Sequence, residues 1–448
     1  MRLQAELCIF TILRTAAALQ GSNFNVTAEF ANAHGCNQEC QMTLNKTNIV
    51  DLDTFGHDFD FEFYTTASNF TNSKPGDLLK IRAAEPKALQ VKAGTTIYRF
   101  QYTSQDLDDS PVPANGFIAF PFAPTNLRAN SSAYPLVAYA HGTSGIYRGC
   151  APSNGATLYD YDSWQLLVQR GYAVVATDYV GLGNNHTAHK YCSFPAQAKD
   201  TFYSVAAARK AFSIFSEEWM AVGHSEGGGA VWKLAESDLV KSDKSYLGTV
   251  SLAPAVKIAD MLLNHTDFIL ASGYLTLVAK ALQRVMPSYG LTILGDTLRK
   301  RMVIADTAQP CLVAQGAISV GLSKDQILSS SGFQNDLPLL QKWQNDMAPA
   351  SGGHNTKPIL VVQGLNDTAV VPAVTRQSWE QSCSDKNEVI LSEYAALDHS
   401  PVIVGAAAEW LAWVDARFKG EPTSGKCMKL ERKPLDPNFV VAPPEKPT

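Results

Sequence analysis

From Tyr134 onward the chain alternates short, continuously apolar runs with longer stretches of helical period. The apolar runs YPLVAYA (134–140), GYAVVATD (171–178), WMAVG (219–223) and GTVSLA (248–253) predict strands. Between them, DSWQLLVQR (162–170) predicts a helix capped by Asp162 or Ser163, and DTFYSVAAARKAF (200–212) a helix with Asp200 at its start. AVWKLAE (230–236) predicts the body of a helix that follows Ser225. Strands of this kind, each separated from the next by a helix, imply a parallel sheet covered on both faces.

The alternation stops after Pro254. Residues 255–347 are helical in pattern with few strand signals, and FILASGYLTLVAKALQRV (268–285) is apolar almost all round. The sheet pattern resumes at PILVVQG (358–364), followed by a helix at VTRQSWEQSCS (374–384), a strand at NEVILSEY (387–394) and an amphipathic helix at VGAAAEWLAWVDARF (404–418). A helical block between sheet strands predicts a cap; a plain extension of the core would give the same periodicity. Upstream, TTIYRFQYTS (95–104) and GFIAFPFAP (116–124) predict an antiparallel pair joined by a Pro, Asp and Ser loop. Residues 19–90 look irregular and are expected to wrap the core. The Pro- and Lys-rich tail after 420 is expected on the surface, tethered through Cys427. The expected fold is therefore α/β, with a mostly parallel, doubly covered sheet in residues 91–254 and 348–420. A helical lid or cap (255–347) is inserted in it, with an N-terminal extension (19–90) and a C-terminal tail (421–448).

Composition narrows the class. A chain of 448 residues, 46% hydrophobic and 18% charged, has a sizeable core, in one large domain with insertions or in two domains. A net charge of −5 and no Lys/Arg run interleaved with aromatics leave nucleic-acid binding without support. No segment holds 18 uninterrupted apolar residues, so no transmembrane helix is expected. Residues 1–18 read as a secretory signal peptide: Arg2 precedes an apolar stretch from Leu7 to Leu13, and Ala16 to Ala18 offer small residues for cleavage, although Glu6 and Arg14 interrupt the pattern. Seven Asn-X-Ser/Thr sequons occur, where about three are expected by chance. Those at Asn25, Asn45, Asn69, Asn130, Asn185 and Asn264 are expected to carry glycans on an extracellular, secreted protein. The one at Asn366 is expected to stay bare, being next to a candidate catalytic acid. No cysteine pair has CxxC spacing, and His186 with His189 reads as a satisfied surface pair rather than a metal site, so neither a metal nor a cofactor is called for.

The sharpest motif is Gly223-His224-Ser225-Glu226-Gly227. Alone it is weak, since about one chain in seven of this composition carries such a pentapeptide by accident. A predicted strand before it and a helix after it make Ser225 a candidate nucleophile on a strained turn, with Gly223 and Gly227 allowing close backbone approach. The competing reading is a glycine-rich helix start that binds an anion. A serine hydroxyl needs a base, and the base needs an orienting acid. Asp367 follows the predicted strand 358–364 and His399 follows 387–394. Both sit at carboxyl ends of strands, where open parallel sheets place their sites, and the order Ser, Asp, His is that of α/β-hydrolases. Asp398 points poorly at its neighbour's ring, Glu393 lies within a strand, and His265 and His354 lack a strand-end position. For the oxyanion, the N–H of Glu226 and one from His141-Gly142-Thr143-Ser144-Gly145, either Gly142 or Thr143, are the candidate donors.

PGDLLKIRA (75–83), AHGTSG (140–145), GCAPS (149–153), ATDYVGLG (176–183), GHSEGGGA (223–230) and QGLNDTAVVP (363–372) together resemble the fungal secretory lipase family, the lipase A-like α/β-hydrolases, over residues 60 to 430. The resemblance implies a Ser225-Asp367-His399 triad, a helical lid at 255–347 and disulfides Cys150–Cys311 and Cys383–Cys427. The pairing of Cys36, Cys40 and Cys192 stays open; one arrangement is a local Cys36–Cys40 bridge with Cys192 unpaired. It implies carboxyl-ester hydrolysis of triacylglycerols or other acyl esters, with transient contact of the lid with a lipid interface. The family also includes trichothecene C-3 esterases, which implies as an alternative the deacetylation of a secondary metabolite. Glu226 departs from the neutral residue usual after the serine, and a carboxylate there is expected to move the pH optimum. A hydrolase-like binding protein and a peptidase on the same fold are the other readings.

Overall fold

The computed structural model describes residues 19–125, 133–264, 270 and 272–443. The expected signal peptide (1–18), His265 and the sequon at Asn130 lie outside them. Ten strands form one sheet among the described residues: β1 (Leu78–Ala83), β2 (Thr96–Gln105), β3 (Pro111–Phe120), β4 (Tyr134–Ala140), β5 (Ala173–Thr177), β6 (Phe215–His224), β7 (Tyr246–Leu252), β8 (Ile359–Gly364), β9 (Val389–Tyr394) and β10 (Met428–Arg432). Their order is β1-β2-β3-β5-β4-β6-β7-β8-β9-β10. β1, β2, β3 and β5 pair antiparallel; from β5 to β10 every neighbour is parallel.

The central strands read as unbroken apolar runs because both faces are buried. In β6, Trp219 and Ala221 face one core, while Met220 and Val222 face the other. β8 does the same with Ile359 and Val361 against Leu360 and Val362. Helices Phe194–Ala211 and Glu226–Ala235 pack on the first face, Trp164–Gln169 and Ala407–Phe418 on the second. Between β7 and β8 lie the helices of the insertion, among them Ile258–Asn264, Tyr274–Val285, Asp296–Ala308, Leu312–Ala317 and Ser330–Met347. No helix of the described residues is long and apolar enough to cross a membrane.

Several local expectations need correction. Residues 19–90 are regular in large part: an 18-residue helix, Gln38–Phe55, and strand β1 lie there. That helix docks on the insertion, where the Asp51 carboxylate accepts from the amides of Val313 and Ala314. The tail after 420 forms β10, parallel to β9 and held at its start by Cys383–Cys427. As an exposed edge strand with two basic residues and one acidic it lacks an apolar signature. The helix expected from Asp200 begins at Phe194, with Pro195 in its first turn. Asp200 is buried inside it, accepting from Val180 N–H at 3.0 Å. Ser163, one of the two expected caps, is the N-cap of Trp164–Gln169, but the capping bonds come from Asp160, which accepts from the N–H groups of Ser163 (3.0 Å) and Gln165 (3.3 Å). β3 begins at Pro111, earlier than expected. Its prolines are tolerated because β5 pairs only with Gly116–Ala119, leaving the first half with a single neighbour.

Candidate active site

β6 ends in a turn at Ser225, from which Glu226–Ala235 starts. Ser225 has φ 56° and ψ −119°, a strained conformation for a non-glycine residue, costing of order 1–3 kcal/mol. The two flanking glycines make the turn possible. A Cβ on Gly223 would lie 2.2 Å from the carbonyl oxygen of Gly227, and one on Gly227 would lie 1.9 Å from that of Ala140. The serine is 8% exposed, at the wall of a cavity rather than in the core.

The loops after β8 and β9 bring Asp367 and His399 together. His399 Nδ1 donates to Asp367 Oδ2 at 2.9 Å, and both residues are buried. Asp367 is fully occupied otherwise: Oδ1 accepts from the amides of Ala369 (2.9 Å) and Val370 (2.7 Å), Oδ2 from Gln363 Nε2 at 2.9 Å. A carboxylate so held fixes the proton on Nδ1 and leaves Nε2 to act as a base. His399 shares the cavity wall with Ser225, and its ring lies 4.6 Å from that of His224.

Three supporting groups were not singled out from sequence. Gln363 bridges Asp367 and Thr375. Asp398, set aside as an acid, ties the two loops by accepting from the amides of His399 and Thr368, each at 2.8 Å. The third is Tyr161, whose hydroxyl accepts from the Gly142 N–H at 3.0 Å and lies 3.1 Å from His224 Nδ1. Gln363 opens the QGLNDTAVVP stretch and Asp398 adjoins His399, without either being given this role from sequence, and nothing in sequence marks Tyr161.

The loop 141–145 passes close to the nucleophile: a Cβ on Gly142 would come within 3.3 Å of Ser225 Cβ. Its Gly142 amide is committed to Tyr161. Thr143 lines the cavities on both sides of Ser225. Glu226, at the helix start, has its amide in the first turn, where no intrahelical acceptor exists. Its side chain is turned away, accepting from Gln197 Nε2 (2.5 Å) and the Cys192 amide (3.3 Å), with His189 Nε2 at 3.6 Å. Burial raises the carboxyl, but the His189 and Gln197 contacts outweigh it and hold Glu226 below its ordinary value. His189 is thus a buried partner of Glu226, not half of a surface pair; His186 is exposed.

The remaining residues fall as follows. The sulfurs of Cys150–Cys311, Cys383–Cys427 and Cys36–Cys40 are bonded, and Cys192 is a buried free thiol. Asn25, Asn69, Asn185 and Asn264 are exposed; Asn45 is half-buried on the face of its helix. Glu393 is paired with Arg376 at 2.7 Å, and His354 is exposed.

Known proteins share this architecture. Lipase 10 of Candida albicans is 24% identical over 409 residues, 83% of each chain, and Lipase 1 of the same yeast 22% identical over 406 residues, again 83% of each. The fold matches Candida antarctica lipase A (TM-score 0.63, 14% identity, 82% of this chain and 88% of that one). It also matches the rice cell wall degrading esterase LipA of Xanthomonas oryzae (TM-score 0.61, 17% identity, 77% and 98%). The sheet order and the helical insertion between β7 and β8 agree with that α/β-hydrolase likeness. A family model described as serine aminopeptidase, S33, matches residues 156–401, the span from the cavity wall through Ser225 and Asp367 to His399, and the chain belongs to that hydrolase family.

Proposed function

We propose that the chain hydrolyses carboxylic esters through an acyl-enzyme on Ser225. His399 Nε2 takes the hydroxyl proton as Oγ attacks the ester carbonyl, and Asp367 orients the ring and stabilises its cation. The tetrahedral oxygen accepts from the Glu226 N–H and from Thr143, since the Gly142 amide is held by Tyr161. His399 then returns the proton to the departing alcohol, and water repeats the sequence to free the acid. No metal or cofactor enters these steps.

The observation that supports the reading most is the 2.9 Å contact of His399 Nδ1 with Asp367 Oδ2, at the same end of the sheet as the strained Ser225 turn. The names of the curated relatives, both lipases, favour an ester over the amide that the family description suggests. Two substrates remain from the sequence: acylglycerols with long chains, for which the inserted helices would serve as a lid opened at a lipid interface, and the acetyl ester of a secondary metabolite. Three disulfides fit a secreted protein. Turnover of p-nitrophenyl acetate by the wild type and by Ser225→Ala tests the mechanism. A variant within tenfold of wild type removes Ser225 from it, and faster turnover of an aminoacyl p-nitroanilide would move the reading to peptides.

A further inference from the structure

Ser225 stands between two cavities of very different size. One, of about 560 Å³, is lined by His399, His224, Gly142 and a ring of hydroxyl-bearing and aromatic groups that includes Thr54, Thr157, Tyr159 and Tyr161. The other holds only about 30 Å³, and Ala255, Ile258, Met261, Val278, Ala369 and Val370 form its apolar wall. Ser225, Thr143 and Tyr274 belong to both.

The two sides are not interchangeable chemically. The departing alcohol must take its proton from His399. His399 lines the large cavity and not the small one. The alcohol therefore leaves into the large cavity, and the acyl group, on the opposite side of the tetrahedral carbon, is directed into the small one. A volume of about 30 Å³ admits two or three water-sized groups at about 10–15 Å³ each. That is the methyl of an acetyl group or the short chain of a butyryl group. The large cavity lies within the range of drug-sized ligands, about 300–1,000 Å³, so it can receive a bulky alcohol; the hydroxyls of Thr54, Tyr159 and Tyr161 are already bonded within the protein.

We propose that the substrate is a short-chain acyl ester, of two to about four carbons, of a bulky alcohol, and that Ile258, Met261 and Val370 set the acyl limit. This rests on the assignment of Ser225 and His399 above. The wall of the small cavity comes from two sources: Ile258, Met261 and Val278 from the insertion, and Ala369 and Val370 from the loop that carries Asp367. Closing that space therefore depends on how the insertion seats on the sheet.

The test is a p-nitrophenyl ester series from acetate to decanoate, run beside labelling of Ser225 with a small alkyl fluorophosphonate. We expect kcat/KM to peak between acetate and butyrate and to fall at least about tenfold by decanoate, since an unaccommodated methylene is worth about 10- to 200-fold in a tight pocket. Met261→Ala should raise the decanoate-to-acetate ratio at least about fivefold, and Ala369→Val should lower the butyrate-to-acetate ratio by a similar factor. A wild-type series that climbs to decanoate, or ratios unmoved in both variants, overturns the partition while Ser225 still takes the phosphonate. If Ser225 stays unlabelled, the catalytic assignment falls and takes the partition with it.

Discussion

The sheet and the helical layer above it share one apolar core, but the layer carries polar and covalent ties that the strands lack. In β4, β6 and β8 the stabilising contacts are apolar, on both faces and close to continuous along each strand. In the layer apolar residues such as Leu275, Leu282, Leu298, Ile304 and Leu340 join that same core, and polar or covalent links add to them between distant parts of the chain. Asp51 accepts from Val313 and Ala314, Arg301 donates to the carbonyls of Gly35 and Ile318, Arg284 donates to those of Ile146 and His189, and Cys150–Cys311 crosses from the loop after β4. The first kind of structure gives rigid strand ends, and these carry Ser225, Asp367 and His399. The second supplies much of the cavity lining, including Tyr274, Leu312 and Met261, and adds specific ties at Asp51, Arg301, Arg284 and Cys150–Cys311 to its apolar packing. The catalytic groups are thereby separated from the part of the selectivity wall that the insertion supplies, while Ala369 and Val370 share the loop of Asp367.

That separation can be broken in several ways. The largest effect should come from the sheet: Ser225→Ala should lower ester kcat by about 10⁴-fold or more with little change in the unfolding midpoint. Next, replacing Cys150 and Cys311 by serine should cost up to about 5 kcal/mol, because the bridge closes a 161-residue span. Urea unfolding should then show the insertion opening before the sheet; a single transition at the wild-type midpoint would mean that the layer needs no such tie. Asp51→Asn leaves three donors to a poorer acceptor and should cost about 3 kcal/mol, with ester selectivity altered more than the rate on the best substrate. Asp367→Asn leaves four donors to a poorer acceptor and should cost a similar amount of stability, but it should lower kcat on every ester alike.

The smallest effect concerns pH. Burial raises Asp178, Asp200 and Glu236 to about 7 and Asp51 to about 6. Unfolded, all four lose their protons near pH 4. The native state thus binds more protons between these values, and the stability they contribute is complete below about pH 4 and lost as pH rises through 6 to 7. His141, lowered to about 4 by burial, and His224, also lowered by burial, act in the opposite sense, but mainly below about pH 6.5. Between pH 6.5 and 8 the carboxylates outweigh what remains of the histidine titration, and unfolding free energy should fall by on the order of 2 kcal/mol. A flat profile by urea titration over that window would mean that these groups are ionised in the folded state.

The same contrast explains what was legible in the sequence. Buried parallel strands announce themselves locally: Leu136 to Ala140 and Ile359 to Val362 need no partner to be recognised. Ser225, Asp367 and His399 follow, because each sits one turn beyond such a run. The 38–55 helix was missed because its polar positions, Asn48 and Asp51 among them, face inward to partners far along the chain, which blurs its apolar face. β10 was missed because an edge strand this short and exposed needs no apolar side chains. Tyr161 carries no sequence signal at all, since its importance lies in one hydroxyl placed on the Gly142 amide.

Peptide mass mapping after reaction with a fluorophosphonate tests the central claim most directly. The account predicts one adduct, on the peptide containing Ser225, with loss of esterase activity in proportion to labelling and no adduct in Ser225→Ala. Full activity after exposure to the reagent, or an adduct elsewhere that tracks the loss, would contradict it.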